Sequence, residues 1–433
     1  MAPKSRYPVL VILRILSISA IFIATTIAWI ILGATISTRT RSTDERLSSR
    51  VQSVWGSPQV QQAPACAMET TTAQVEEVLE KGVTRKVTKQ VLTETPVAAD
   101  RSNVDVVLGL DHRKKGLLWY STYAVAFKAA YVFRNPDPER RRLRFLFQLP
   151  AEQAIYDGLS VSLNGQTQSL IIKGNAISVN FEAGPLEPVR LAVQYKSQGI
   201  ESWRYSFGDK VTEVKNFALK MSTNFRDIDF PDNTLAPGAK RQTPQGWDLD
   251  WNYQSLLSGY QIAMAMPQKL QPGPLAAEIS YFAPVSLFFF FFLLFLVTTL
   301  RNIELHPMNY FFLAAAFFAF HLLLAYLVDH VDIHAAFAAS SAVSIALVAS
   351  YLRLVTGARF AFREAALGQF VYLVLFSYAF FFRGFTGLAI TTGAIATLFI
   401  AMQATGRIRW SEAFSAPRHI IGAAGPNGEP PIR

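Results

Sequence analysis

The sequence predicts a membrane protein of mixed α+β class. Its parts are one N-terminal transmembrane helix, an extracytoplasmic antiparallel domain of β-sandwich type, and a C-terminal bundle of five transmembrane helices. Three observations predict this. The hydrophobic residues, 51% of 433, are segregated rather than spread along the chain. One apolar stretch stands at the start and five crowd into the last third, each able to supply the roughly 20 residues that a spanning helix needs. Between them lies a long polar segment whose second half alternates apolar and polar residues with period two.

The elements follow in order. Residues 1–8 form a short cytoplasmic N-terminus and 9–36 an anchor helix. That stretch exceeds the apolar core of a cleaved signal peptide, roughly 7–15 residues, and no small-residue cleavage site follows it, so it reads as retained. Residues 37–281 form the periplasmic domain, β-rich from about 120. Within its earlier polar part, Thr70 to Gly82 carries Val75, Val78 and Leu79 on one face of a short helix. From Tyr123 the alternation is steady: Tyr123, Val125 and Phe127; Leu143, Phe145 and Phe147; Val161 and Leu163; Ile177, Val179 and Phe181; Val189, Leu191 and Val193. Asn164-Gly165 and Gly174-Asn175 punctuate these runs, as hairpin turns do. Residues 282–300, 307–328, 334–355, 365–382 and 385–404 are the five C-terminal spans. Residues 405–433, rich in Pro, Gly and Ala, read as a disordered cytoplasmic tail.

Charge orients the chain. The net charge is +10, and residues 37–281 hold 29 Lys/Arg against 25 Asp/Glu, so the excess is richest beside the apolar stretches. That favours a topology signal over nucleic-acid binding. Lys4, Arg6, Arg301, Arg353, Arg359, Arg363, Arg407 and Arg409 fall on one side and Arg383 alone on the short loops of the other. Both termini are then cytoplasmic and the large domain periplasmic, in a bacterial inner membrane. The run Arg140-Arg141-Arg142 with Arg144 reads as a solvated sheet face or loop.

Few residues suggest chemistry. A single cysteine, Cys66, precludes an intrachain disulfide. There is no Gly-x-Ser-x-Gly, Walker A or His-Glu-x-x-His sequence. His112, among Asp111, Arg113, Lys114 and Lys115, reads as a solvated loop residue. Asp329, His330, Asp332 and His334 form an outer hairpin between the second and third spans of the C-terminal bundle. Two imidazoles and two carboxylates at that spacing suit a divalent metal such as zinc, or simply a polar hairpin that ends two helices. His321 lies deep in a span and should face other helices as a neutral imidazole. Glu364, Gln369 and Gln403 offer it no acidic partner at matching depth, which weighs against an ion-coupled transporter. The aromatics of the fourth span of that bundle, Phe370 to Phe382, read as packing and lipid contacts.

Four short segments, Trp55-Gly56-Ser57-Pro58-Gln59, His306-Pro307-Met308-Asn309-Tyr310, Asp329-His330 and Arg407-Ile408-Arg409-Trp410, together resemble the CreD family, inner membrane proteins linked to cell envelope integrity. Trp55-Gly56-Ser57-Pro58-Gln59 is similar to that family's Trp-Gly-x-x-Gln segment. His306-Pro307-Met308-Asn309-Tyr310 resembles its His-Pro-x-x-Tyr, Asp329-His330 falls where it has Glu-His, and Arg407-Ile408-Arg409-Trp410 resembles its basic ending. Ala63-Pro64 stands, displaced, for a Gly-Pro, and Arg383-Gly384-Phe385 for an acidic pair. The resemblance implies one anchor, a periplasmic domain, a helical bundle, and a role in envelope integrity with links to stress signalling and toxin tolerance. It supplies no catalytic residue.

The expectation is a non-enzymatic protein without cofactors or nucleic-acid partners. Its partners would be the lipid bilayer and envelope proteins, with Trp55, Gly56, Gln59, His306, Pro307, Asp329 and His330 as contact candidates. The alternatives are a receptor that binds a periplasmic ligand and signals through its helices, and a metal-dependent membrane enzyme using the outer hairpin.

Overall fold

A computed structural model describes residues 7–406 apart from 81–82, 116–117, 153, 209–211, 302 and 383. The expected tail and its basic ending, Lys4, Arg6 and Arg383 lie outside the described residues. The chain divides into two compact units, residues 1–42 with 271–433 and residues 43–270.

The first helix, α1, runs Tyr7–Trp55. It extends well past the expected end at residue 36 because no Pro or Gly interrupts the chain between Gly33 and Gly56. At 1.5 Å per residue it is about 74 Å long, more than twice a bilayer's hydrocarbon thickness. It therefore contributes to both units, changing from apolar to polar along its length.

Strands in the second unit begin earlier than expected. They are β1 Gln59–Gln62, β2 Ala65–Glu80, β3 Val83–Val97, β4 Ala99–Lys115, β5 Leu118–Arg134, β6 Arg141–Gln148, β7 Tyr156–Leu163, β8 Gln166–Thr167, β9 Ile171–Lys173, β10 Ala176–Ala183, β11 Pro188–Ile200, β12 Ser202–Ser206, β13 Thr212–Thr223, β14 Ala239–Gln242, β15 Trp247–Ser258 and β16 Ile262–Ala265. The helix expected at Thr70 to Gly82 is instead, as far as Glu80, part of β2, paired antiparallel with β3 from Cys66↔Val97 to Glu80↔Val83, and its last two residues lie outside the described residues. Thr70, Thr71, Thr72 and Val75 are β-branched, and a partner strand rich in Val and Thr outweighs a helical spacing of three apolar residues.

Three sheets result, ordered β14-β15-β13-β4-β5-β11-β7-β8, β3-β2-β6-β10-β9 and β1-β12-β16. The two larger sheets share one core, as in a sandwich. Phe133 meets Phe145 edge-on at 5.3 Å, and Phe127 lies 6.4 Å from Phe147. Pairing is not wholly antiparallel, because β1 runs parallel to β12 and β13 parallel to β4. Asn164 and Gly165 both take positive φ, 48° and 83°, as a two-residue hairpin turn requires. The arginine run starts β6 and is a paired, largely exposed face: Arg141 with Asp137, Arg142 with Glu69, Arg144 with Glu94.

In the first unit α1 is joined by α2 Pro272–Leu300, α3 Pro307–Leu327, α4 Ile333–Thr356, α5 Ala358–Phe381 and α6 Thr386–Thr405, all six long and apolar enough to cross a membrane. The second and fifth spans begin earlier than residues 282 and 365. α5 contains π-turns at Ala361–Ala365 and Phe370–Leu375. Polar side chains knit the bundle. The Ser344 hydroxyl donates to the Ala316 carbonyl (2.7 Å), Gln369 Nε2 donates to Ser344 Oγ (2.7 Å), and the Ser286 hydroxyl donates to the Tyr372 carbonyl. Such contacts fix helix neighbours where lipid supplies no hydrophobic driving force. Arg301 pairs with Glu364 at 2.7 Å.

Candidate functional sites

Two places gather the residues singled out by sequence, one in each unit.

In the helical unit, residues 328–332 turn the chain from α3 into α4. Asp332 is the N-cap of α4, its Oδ1 accepting from the His334 amide at 2.9 Å. Asp329 accepts from Arg39 of α1 at 2.7 Å, and Arg39 also donates to the Ala325 carbonyl at 3.2 Å. The Arg39 guanidinium lies 5.6 Å from the centre of the Tyr326 ring. His334 turns the other way, its ring 5.1 Å from Phe381, while His330 is exposed. The four hairpin residues are thus split among an ion pair, a helix cap, an aromatic contact and solvent. No group of three potential metal ligands forms among the described residues.

His306 and Pro307 start α3. His306 Nδ1 accepts from the Met308 amide at 3.2 Å, and Pro307 occupies the first turn, where a missing N–H costs nothing. Tyr310 is buried edge-on against Phe291 at 5.1 Å. His321 is buried as expected. Its Nδ1 lies 2.9 Å from the Phe317 carbonyl and its ring 5.5 Å from Trp29.

In the β-domain, Trp55, Gly56 and Gln59 form the joint between α1 and the sheets. Gly56 ends the helix with φ +113°, and its amide bonds to the Gln52 carbonyl. A side chain there would meet the Gln198 carbonyl, so the backbone of β11 can approach only a glycine. The Arg113 guanidinium lies 3.4 Å from the centre of the Trp55 ring. Gln59 is fully buried, and its Nε2 donates to Ser197 Oγ and to the Gln198 carbonyl, both at 2.8 Å. Gln61, also buried, accepts from the Tyr195 hydroxyl at 2.7 Å. Tyr120 donates to Asp44 at 3.1 Å and ties the last turns of α1 to β5.

The chemistry available in this domain is quiet. Burial pushes the Tyr123 and Tyr195 hydroxyls well above the ordinary tyrosine range, which keeps them neutral donors. Burial likewise pushes the Cys66 thiol up to about 12. His112 is not in a loop. It lies on β4 with Nε2 2.9 Å from the Pro267 carbonyl.

Arg39 lies just past the expected end of the anchor helix and carries no sequence signal of its own. Its partner Asp329 is 290 residues away, a pairing that no local pattern reveals. Tyr120 and Asp44 were missed for the same reason.

Residues 278–411 match the family model described as inner membrane protein CreD, which bears out the resemblance over the C-terminal helices. No curated protein sequence matches the chain. Solved structures with some similarity include a proposed nutrient binding protein from Legionella pneumophila (11% identity, 45% of this chain and 73% of that one, TM-score 0.31). Another is an M1 zinc metallopeptidase from Deinococcus radiodurans bound to a Tyr-Ser-Ala substrate (8%, 39% and 42%, TM-score 0.28). A second structure of that organism's M1 zinc metallopeptidase has 12% identity over 77% of this chain and 97% of that one, with a TM-score of 0.27. This chain spans under half of the peptide-bound metallopeptidase.

Proposed function

We propose that this inner-membrane protein of CreD type is non-enzymatic and supports cell-envelope integrity, or the response to envelope stress, through a β-domain on the periplasmic side. One observation carries the reading. The β-domain is tied at both chain ends to membrane helices, and the first tie is a helix that continues from its apolar span into the domain without a break. A domain tethered twice is restricted in reach and orientation, which suits contact with partners at a membrane surface better than turnover of a diffusing substrate. The sites are consistent with this. At the joint Gln59 Nε2 is held by Ser197 Oγ and the Gln198 carbonyl, and the Arg39–Asp329 pair fastens α1 to the hairpin between α3 and α4.

A receptor reading draws on the same unbroken α1, since a stiff helix could carry a change in the domain to the membrane. It requires a periplasmic ligand that stabilises the domain.

The orientation is tested by labelling cysteines placed on exposed positions with a membrane-impermeant maleimide. In spheroplasts Thr167→Cys on β8 should label and Arg359→Cys at the start of α5 should not, the latter reacting only after permeabilisation. The opposite pattern would put the domain in the cytosol and end the proposal. The envelope role is tested by deleting the gene and restoring it with Asp329→Arg. Loss of complementation at normal protein level is the expected result. Full complementation would remove the hairpin pair from the mechanism.

A further inference from the structure

The apolar part of α1 contains one charged residue, Arg14, about two turns from the start of the helix. No carboxylate among the described residues pairs with it, and its Nε is buried without a hydrogen-bond partner. Facing it is Tyr310, fully buried, whose hydroxyl interacts with Arg14 and Thr298 yet makes no well-formed hydrogen bond. Thr298 is two residues from the end of α2 and Tyr310 is in the first turn of α3, so this cluster sits level with the loop joining those helices. In a chain that spans a bilayer, that is headgroup depth. A buried guanidinium nitrogen without a partner, on a cation that no carboxylate meets, is an incomplete site, and the Tyr310 hydroxyl beside it is a second donor for one anionic oxygen cluster.

A groove of about 380 Å³ leads away from the cluster between α1 and α2, lined by Ile15, Ile18, Phe22, Phe288, Phe292 and Phe295. The helices are antiparallel there. Ile15 and Phe295 stand at the Arg14 end, and Phe22 meets Phe288 at 6.3 Å farther along. From Ile15 to Phe22 the groove rises about 10 Å along the helix. Its lining is apolar but for Ser19, and the charged group stands at its mouth.

The geometry points to a bound anionic phospholipid of the leaflet on the Arg14 side, its phosphate on Arg14 and the Tyr310 hydroxyl and one acyl chain in the α1–α2 groove. Guanidinium and phosphate match as a two-pronged, charge-assisted pair, whereas a zwitterionic lipid offers its phosphate already countered by an amine. Basic pockets between membrane helices bind anionic headgroups in this manner. The lipid would also fill a gap that leaves α1 loosely held along its apolar part. The proposal stands whichever side of the membrane the β-domain occupies.

The test uses the full chain, reconstituted in vesicles of equal parts phosphatidylglycerol and phosphatidylcholine, extracted gently and weighed by native mass spectrometry. Wild type should retain phosphatidylglycerol over phosphatidylcholine. Arg14→Gln should lower that preference about tenfold, the size expected for loss of one charge-assisted pair. Tyr310→Phe should lower it less. Ile18→Trp, which fills the groove, should reduce retention of both lipids, and Arg359→Gln, an exposed arginine at the start of α5 outside the groove, should leave the preference intact. Equal retention of the two lipids by wild type, or an unchanged preference in Arg14→Gln, would overturn the site. Should Arg14→Gln fail to accumulate, wild-type thermal midpoints in detergent decide. Phosphatidylglycerol must raise the midpoint more than phosphatidylcholine or inorganic phosphate does. An equal rise with inorganic phosphate would show a free-anion site and remove the lipid.

Discussion

The two units use buried polar groups in different ways. In the β-domain, polar side chains are few within a large aromatic core, and they hold strands and the end of α1 in register. Gln59, Gln61 and Tyr195 bond across β1 and β11, and Tyr131 and Tyr205 meet hydroxyl to hydroxyl at 3.2 Å. In the helical unit the corresponding groups lie between helices and each bridges one neighbour: Ser286 to α5, Ser344 to α3, Gln369 to α4. The difference follows from the solvent. Water drives apolar faces together, so a domain in water gains its stability from burial and its specificity from polar contacts. Lipid tails offer no such drive, and helix association rests on close packing and modest interhelical hydrogen bonds. The same kind of side-chain change should therefore cost very different amounts in the two units.

The largest effect is expected in the β-domain core. Phe145→Ala removes a fully buried ring that touches Phe133 across the two sheets, and should lower domain stability by about 3–5 kcal/mol. Chemical denaturation of the full chain in detergent, followed through the domain's tryptophans, measures it. A loss below about 1 kcal/mol would mean that the two sheets do not share one core.

Next comes the cysteine. Burial raises the Cys66 thiol from 9.0 to about 12, so the folded domain resists its ionisation. The resulting stabilisation is complete below pH 9 and is lost as pH rises from 9 toward 12, because only the unfolded chain ionises readily in that interval. Alkylation reports this directly. Cys66 should stay unreactive toward iodoacetamide at pH 9 in the folded protein and react quickly once denatured. Rapid reaction in the native state would contradict its place in the sandwich.

Much of this contrast was readable beforehand, and the misses have physical causes. The alternation of Tyr123, Val125 and Phe127, or of Leu143, Phe145 and Phe147, reports which face of a strand is buried, and those residues are core. The apolar stretches gave six helices because composition alone decides what lipid accepts. Thr70 to Gly82 failed because three apolar residues suit either period, and only the distant strand β3 selects one. The end of α1 failed because hydropathy marks where lipid stops, not where a helix stops, and nothing before Gly56 ends it. At the sites, His306-Pro307 was legible as a helix start. The separate fates of Asp329, His330, Asp332 and His334 were not, since they depend on Arg39 and Phe381 from other helices. Arg14 offered a signal that the pattern reading passed over, namely a lone charge inside an apolar run.

In the bundle a comparable change should matter far less. Gln369→Leu keeps the volume and removes the bond to Ser344 Oγ, while Ser344 can still donate to the Ala316 carbonyl. The expected cost is about 0.6 kcal/mol, the average for a hydrogen bond between membrane helices, and an upper value is about 1.7 kcal/mol. Reversible unfolding in mixed micelles would read it. A loss as large as that of Phe145→Ala would erase the distinction between the units.

The smallest effect belongs to the ion pair that fastens α1. Arg39 and Asp329 are close at 2.7 Å, but their side chains are 44% and 31% exposed. Water and salt screen a pair of that kind, and exposed pairs contribute about 0.2–1 kcal/mol. Asp329→Asn should therefore shift the thermal midpoint of the bundle only slightly, and the shift should shrink further in high salt. The biological consequence need not scale with that energy, because the pair sets which face of α1 meets the α3–α4 hairpin rather than whether the helices form. A cysteine pair replacing both residues separates the two roles. If orientation is what matters, the Arg39→Cys/Asp329→Cys variant should, once bridged by a bifunctional thiol crosslinker about as long as the lost arginine side chain, restore complementation that Asp329→Arg loses. Failure of the crosslink to form would show that α1 does not hold this position in the membrane.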